Sequence, residues 1–180
     1  MGKTVLLRQC GIAILLVLLA VFTGCTHYYV PRQYPLKPEM IPEFSGKGAV
    51  TVVNGYAGPK VMVLAAQGGD TWKGDMQKWT DTAVGLLTSE LQKRGFHVTQ
   101  GAPKELKLVV THANMYWGFA SYRCILYLRV ETGHGYTHEY EGNNASGWTV
   151  YRASDGAVTR AIAAMLKDEK IRAYLKSDSA

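Results

Sequence analysis

The chain has 180 residues, of which 47% are hydrophobic and 19% are charged. This length allows one domain with a substantial core and excludes two large ones. The net charge is +6, but the 20 Lys and Arg residues are scattered along the chain, so nothing in the charge pattern favours nucleic acid as a partner.

The N-terminal residues are typical of a secretory signal peptide. Lys3 and Arg8 give the chain a positive start, and an apolar stretch follows over residues 11–22. A stretch of about a dozen residues is shorter than the roughly 20 that span a bilayer, and its length suits the apolar region of a signal. We therefore predict a signal peptide over residues 1–24. The alternative is a signal anchor that stays uncut, in which Cys25 is incidental.

The residues Phe22-Thr23-Gly24-Cys25 resemble the lipobox of bacterial lipoproteins, in which an apolar residue and two small ones precede a Cys. The resemblance implies that the Cys25 thiol receives a diacylglycerol, that the chain is cut before Cys25, and that the new amine is acylated, as with palmitate. Two or more acyl chains anchor a protein stably. Residue 26 is Thr rather than Asp, which by the same resemblance favours the outer membrane, with the protein facing the periplasm.

The segment 25–47 is predicted to be a lipidated tether for a single domain over residues 48–180. Four of the six prolines lie between Pro31 and Pro42, and the apolar residues there show little periodicity. As a flexible coil, such a segment would span roughly 25 Å, and about 70 Å in a polyproline conformation. Its tyrosines are expected either at the level of the lipid headgroups or packed on the domain.

The first half of the domain is predicted to contain two strands and a helix. Runs of β-branched residues indicate strands over 49–53 and 61–65. Apolar residues at helical spacing predict a helix over 76–94. Asp75 is positioned to cap the first turn of that helix, and Gly95 to end the last one.

The second half is predicted to contain three strands and two helices. Alternation of apolar and polar residues indicates the strands, and apolar stripes indicate the helices. The predicted strands cover 104–115, 122–132 and 136–142. The first of the two helices begins after Ser154 or Asp155, and the second covers 168–176.

Cleavage before Cys25 would leave one cysteine that is not lipidated, Cys124, so no disulfide within the chain is expected. Cys124 lies in the apolar face of the 122–132 strand. We predict a buried structural thiol there, with a reactive or intermolecular thiol as the alternative. Removal of Lys3 and Arg8 with the signal would lower the net charge to +4.

The predicted fold class is α+β, a two-layer sandwich in which an antiparallel or mixed sheet carries helices on one face. The layout of lipobox, Pro-rich segment, helix ending LQKRGFHV (residues 91–98) and strand KELKLVVTHA (residues 104–113) resembles small outer-membrane lipoproteins of the YajG type, over roughly residues 45–176. The architecture is also similar to the LptE-like and PqiC-like auxiliary lipoproteins of envelope transport. None of these resemblances implies a catalytic residue.

The segment HGYTHEYE gathers ionisable side chains without matching a catalytic or metal site. On one strand, His134 and His138 would lie roughly 13 Å apart, which is too far to share a metal ion. Glu139 and Glu141 are expected to be exposed. No nucleophile elbow and no phosphate-binding glycine loop occurs in the sequence. We therefore predict no metal, no cofactor and no enzymatic activity, with a hydrolase as the competing class.

The most unusual stretch is an aromatic one at the predicted tip between the 104–115 and 122–132 strands. Tyr116, Trp117 and Phe119 are candidate partner-binding residues there, as is Tyr127 on the half-polar sheet face. The alternative is that the tip aromatics fold back over the sheet. We predict an envelope lipoprotein that acts by binding, as an accessory or stabilising subunit of an envelope complex. The second hypothesis is a carrier of lipid or another amphiphile.

Overall fold

The structure, a computed structural model, describes residues 24–177. The predicted signal peptide therefore lies outside the described residues, apart from Gly24. In chain order the elements are β1 (Thr26–Tyr29), a 3-10 turn (Pro38–Met40), β2 (Ala49–Asn54), β3 (Val61–Gln67), β4 (Asp70–Asp75), α1 (Met76–Lys93), β5 (His97–Val98), β6 (Lys104–Trp117), β7 (Tyr122–Thr132), β8 (Thr137–Ser146), α2 (Val150–Lys167) and α3 (Glu169–Lys176).

The strands form two sheets. The larger has the order β5-β2-β6-β7-β8, in which β2 runs parallel to β5 and β6, and β6, β7 and β8 are antiparallel neighbours. The smaller has the order β1-β4-β3, with β1 parallel to β4 and β3 antiparallel to it. The predicted α+β class with a mixed sheet is confirmed. The prediction contained only one sheet, so the smaller sheet is a difference from it, and neither β1 nor β4 was predicted.

The core lies between the larger sheet and two long helices. Helix α1 packs on β2 and β6, and α2 packs on β7 and β8. The predicted apolar face of β7 is fully buried beneath them, and it includes the Cys124 thiol. Burial raises the pKa of that thiol to about 12. Gly142 on β8 allows α2 to approach closely, since a side chain there would lie 2.0 Å from the Ala157 carbonyl oxygen.

Helix α1 forms where the sequence pattern predicts it. The Asp75 side chain accepts a hydrogen bond from the Lys78 backbone N–H, so it satisfies a free donor of the first turn. Gly95 follows the helix with φ of 86°, a conformation that glycine adopts without strain. The predicted stripe is buried against the sheet, and it comprises Trp79, Ala83, Leu86, Leu87 and Leu91.

Helix α2 begins about one turn earlier than predicted. Its N-cap is Thr149, whose side chain accepts from the Arg152 backbone N–H. Ser154, the predicted start, lies inside the helix, where its buried hydroxyl donates to the Val150 carbonyl oxygen. A serine whose hydroxyl bonds to a carbonyl of the preceding turn can occupy the interior of a helix.

Strand β8 extends to Ser146, four residues beyond its predicted end, because its polar residues stay paired with β7.

The segment predicted to be a tether packs on the domain. Strand β1 pairs with β4, and the chain then crosses both long helices before reaching β2. Five of its apolar side chains are buried, and they are Tyr29, Pro31, Leu36, Ile41 and Phe44. The prolines therefore hold an extended, packed chain, which we call the strap (residues 26–44). This corrects the tether prediction, because the burial of these side chains depends on surfaces far away in sequence.

Candidate functional site

Cys25, the predicted lipidation residue, is exposed and directly precedes β1. Its carbonyl oxygen accepts from the Thr71 N–H at 2.9 Å, and its own N–H donates to Asp70 Oδ1 at 3.3 Å. Acylation of the Cys25 nitrogen would leave an amide N–H, so both hydrogen bonds are compatible with a lipidated residue. Because β1 starts at the next residue, no free linker separates Cys25 from the domain.

Side chains from both long helices hold the strap through its backbone carbonyls. Trp79 Nε1 of α1 donates to the Tyr29 carbonyl at 3.0 Å. Thr82 Oγ1 of α1 donates to the Pro31 carbonyl at 3.0 Å, and Thr159 Oγ1 of α2 donates to the carbonyl of residue 34 at 2.9 Å. The side chains of Arg32, Gln33 and Lys37 on the strap are exposed to solvent.

The central fixed point of the strap is the pair of Tyr29 and Asp155. The Tyr29 hydroxyl donates a short hydrogen bond to Asp155 Oδ1, and the same oxygen accepts from the Arg32 backbone N–H at 2.8 Å. The Tyr29 ring packs against Trp79 and Tyr151, with ring centres 6.1 Å and 4.8 Å away. Burial, together with the hydrogen bond to Asp155, raises the pKa of Tyr29.

A groove of about 1160 Å³ opens between the strap, the first half of α2 and the end of β8. We call it the strap groove. Its basic side chains outnumber its acidic ones, and the Asp155 carboxylate already accepts hydrogen bonds from the strap. Aromatic rings supply part of its apolar wall. The groove can therefore receive an anionic group attached to an apolar body, and its charged and aromatic lining residues are Tyr29, Arg32, Tyr34, Lys37, Glu39, Tyr151, Arg152, Asp155 and Arg160.

A cluster of aromatic rings joins the two sheets at the end of the domain that carries Cys25. His27 of β1 stacks on Trp72 of β4 with ring centres 4.5 Å apart. Trp72 in turn contacts Trp117 of β6 at 5.8 Å and Tyr151 of α2 at 6.2 Å. Two large side chains project from this end into solvent, Phe119 and Trp148. We call this region the aromatic end, defined by His27, Trp72, Trp117, Phe119, Trp148 and Tyr151.

The structure separates the four candidate partner-binding residues. Trp117 folds back onto Trp72, as the alternative expectation had it, whereas Phe119 at the hairpin tip is fully exposed. Tyr116 is half exposed and, like Tyr127, lies on the sheet face away from the helices. Tyr127 is about 13 Å further along the strands than the Tyr116 position.

The sheet face around Tyr127 is a solvated polar surface. Tyr127 pairs with His112 on β6 and with Glu141 on β8. Nearby, Thr111 Oγ1 donates to a carboxylate oxygen of Glu139 at 2.8 Å. The exposed ion pair of this face, between Lys107 and Glu131 at 3.3 Å, contributes little stability.

The histidines of the HGYTHEYE segment contact aromatic rings. His138 lies between Tyr136 and Tyr140, whose hydroxyls both donate to Asp168 Oδ2 at 2.7 Å and 2.6 Å. His134 instead meets the edge of Tyr174. Within residues 24–177, no three His, Cys, Asp or Glu side chains are grouped so that they could hold a metal ion.

Sequence reasoning missed the strap groove and half of the aromatic end. One signal was available: Gly68-Gly69 separates two short extended runs, which is typical of a hairpin with a two-residue turn. That pattern would have predicted β4 and placed Trp72 in a sheet. No local pattern would have placed Arg32 or Asp155 in a groove, since its walls come from segments more than 100 residues apart.

Comparison with protein-family models finds no match, and comparison with curated proteins finds none either. Among solved structures, the chain is similar to the protein XCC0632 from Xanthomonas campestris, described by the family model DUF330. The two sequences are 15% identical, the TM-score is 0.47, and the match covers 84% of this chain and 95% of that one. Between residues 24 and 177, no helix has both the length and the apolar character needed to cross a membrane.

Proposed function

We propose that this chain is a bacterial envelope lipoprotein, anchored through lipid on Cys25, that acts by binding. The observation that carries the proposal is the position of Cys25. It follows a lipobox-like sequence, and it is exposed while its backbone is fixed against β4. A thioether-linked lipid on that sulfur could project from the domain without disturbing a contact. Thr26 favours the outer membrane, with the domain facing the periplasm.

The strap groove is the proposed binding site. It presents Arg32, Arg152 and Arg160 beside aromatic rings, and the guanidinium group suits carboxylate and phosphate partners. A partner protein of the same envelope complex would place an acidic segment there. The protein would then act as an accessory or stabilising subunit, because the groove offers basic charge and a concave shape to a partner segment.

Lipidation is tested by comparing two cysteine variants. Cells expressing the full chain are labelled with a palmitate analogue, and the mature N-terminal peptide is analysed by mass spectrometry. Cys25→Ser should abolish labelling and leave the signal uncut, whereas the matched Cys124→Ser should retain both. Labelling that persists in Cys25→Ser, or a mature protein that still carries residues 1–24, would refute the proposal.

Binding in the groove is tested by photocrosslinking in intact cells. A photoreactive residue at position 34, where the tyrosine side chain is 58% exposed, reports on the groove. The same residue at Gln92, exposed on α1, is the matched control. A discrete protein adduct from position 34 alone is expected. Equal adducts from both positions would refute a groove-specific partner.

The second candidate function, a carrier of an anionic amphiphile, is favoured by the size of the groove. About 1160 Å³ is slightly larger than the typical small-molecule site of about 300–1,000 Å³, so the groove has room for an amphiphile. In this case position 34 would crosslink only to lipid, and an amphiphile would copurify with the protein. Replacing Arg32 and Arg152 with Gln should remove it, because both guanidinium groups line the groove.

A further inference from the structure

The aromatic end has the two most exposed large aromatic side chains of the described chain. Phe119 is fully exposed at the β6–β7 tip, and Trp148 is 80% exposed in the loop between β8 and α2. These loops are neighbours, because Tyr122 pairs with Ser146 and the Ala120 carbonyl lies beside Gly147. One small surface therefore exposes two large rings that other features of the fold leave uncovered.

The same surface adjoins Cys25. Cys25 is two residues from His27, which stacks on Trp72, and Trp72 contacts Trp117 near the hairpin tip. The apolar stretch 11–22 precedes Cys25. Whether the protein carries lipid on Cys25 or retains this stretch as an anchor, the bilayer meets the domain at this end. With β1 beginning at residue 26, there is no slack to move it elsewhere.

The chemistry of the surface suits a lipid interface. Tryptophan is enriched where hydrocarbon meets the headgroups, and an exposed phenyl ring gains by entering the apolar layer. Arg123, exposed at the start of β7, can meet anionic headgroups, and the Asp70 carboxylate beside Cys25 lies 3.5 Å from His27 Nε2. We propose that the aromatic end rests in the bilayer interface, with Phe119 and Trp148 inserted at headgroup depth. This inference rests on the proposed membrane attachment at Cys25.

The experiment labels single introduced cysteines on the lipidated, full-length mature protein. Cys25 would be acylated and Cys124 is buried, so a thiol-reactive fluorophore reports only the new site. The sites are Phe119→Cys and Trp148→Cys, with Val61→Cys as the matched control. Val61 is also exposed, and it lies at the opposite end of β3, about 20 Å from the Gly68-Gly69 turn. Each protein is reconstituted into vesicles of phosphatidylethanolamine and phosphatidylglycerol that contain nitroxide-labelled lipid.

The nitroxide lipid should reduce the fluorescence of the labels at 119 and 148 and leave the label at 61 unchanged. A water-soluble quencher should show the reverse order. Full fluorescence at 119 and 148 in vesicles that carry the protein on flotation would overturn the inference and leave the lipoprotein proposal standing. Protection at these positions in native membranes but not in lipid vesicles would assign the surface to a protein partner and also overturn it. Failure of the protein to float, with no palmitate on Cys25, would overturn both proposals.

Discussion

Replacing Tyr29 with Phe tests whether the strap is part of the folded domain. The substitution removes the hydroxyl that donates to Asp155 and keeps the ring that packs on Trp79 and Tyr151. Apolar packing is therefore nearly unchanged, and the measured effect belongs to the hydroxyl, which donates mainly to Asp155 and has a longer contact with the Tyr151 carbonyl oxygen at 3.3 Å. Asp155 keeps its bond from the Arg32 N–H, so the carboxylate is not left without a partner.

The expected loss in the free energy of unfolding is about 1.5 kcal/mol. Hydrogen bonds to charged groups contribute about 1.5–3 kcal/mol, and the retained Arg32 bond favours the lower end. For a domain of about 150 residues, this loss corresponds to a fall of roughly 3–6 °C in Tm. Tyr34→Phe is the matched control, because the Tyr34 side chain is exposed and its backbone carbonyl, which accepts from Thr159, is unchanged.

Urea and thermal denaturation, followed by circular dichroism, measure these changes. A double-mutant cycle with Asp155→Ala should give a coupling energy close to the Tyr29→Phe effect, since each variant removes the hydrogen bond between the two side chains. A loss below about 0.5 kcal/mol, the usual range for surface substitutions, would mean that the strap is not held in this way. The reasoning would also be refuted by a coupling energy of zero.

The pH dependence of the free energy of unfolding is a second test of the pair formed by Tyr29 and Asp155. Burial and the bond to Asp155 keep Tyr29 protonated in the folded chain at pH values where an unfolded tyrosine, with a pKa of 10.0, has ionised. A raised pKa in the folded state means that the stabilisation is complete below pH 10.0 and is lost as the pH rises above it. Tyr29→Phe should therefore lose less stability than wild type between neutral pH and the alkaline range.

Three further predictions concern the core and the helix junction. Gly142→Ala should lower the free energy of unfolding, measured in urea, by about 1–3 kcal/mol, because the added methyl group would displace α2. Gly147→Ala is the matched control and should be near neutral, since its methyl group would lie 3.6 Å from the nearest atom, the Ala120 carbonyl oxygen. Burial alone would raise the pKa of Asp168, but two tyrosine hydroxyls and a backbone N–H lower it. Its stabilisation should thus be lost as the pH falls below 3.8, and Asp168→Asn should flatten that part of the stability profile. Cys124 should react with a thiol reagent at pH 8 only after unfolding, because burial raises its pKa to about 12.

The elements that the sequence predicts well are those fixed by local periodicity and burial together. Helix α1 has a polar cap, an apolar stripe and a terminal glycine, and all three agree on its bounds. Strand β7 alternates without interruption, and its predicted range, Tyr122–Thr132, is the observed one. In both elements, one face meets the core along its whole length, so the pattern is complete in the sequence.

The strap and the sites around it could not be predicted in this way. The sequence of β1, Thr-His-Tyr-Tyr, has no alternating apolar face, and a proline follows at position 31. Its order comes from a parallel partner more than 40 residues away and from hydroxyl and indole donors on two helices. A Pro-rich composition limits the backbone to extended conformations, and such a chain serves equally well as a free tether or as a packed strap.

The packed strap sets how far the domain can stand from an anchor at Cys25, and a linker insertion measures the importance of that distance. Ten Ser and Gly residues inserted between Cys25 and Thr26, beginning with Ser, would let the domain move roughly 17 Å from the anchor. The fold should be unchanged, because the insertion precedes β1. Labels at positions 119 and 148 should regain fluorescence in nitroxide vesicles, since two exposed rings without the fixed anchor hold the surface only weakly. Labels that stay quenched after the insertion would show that the aromatic end binds the bilayer by itself, and that the short connection to Cys25 is not what positions the domain.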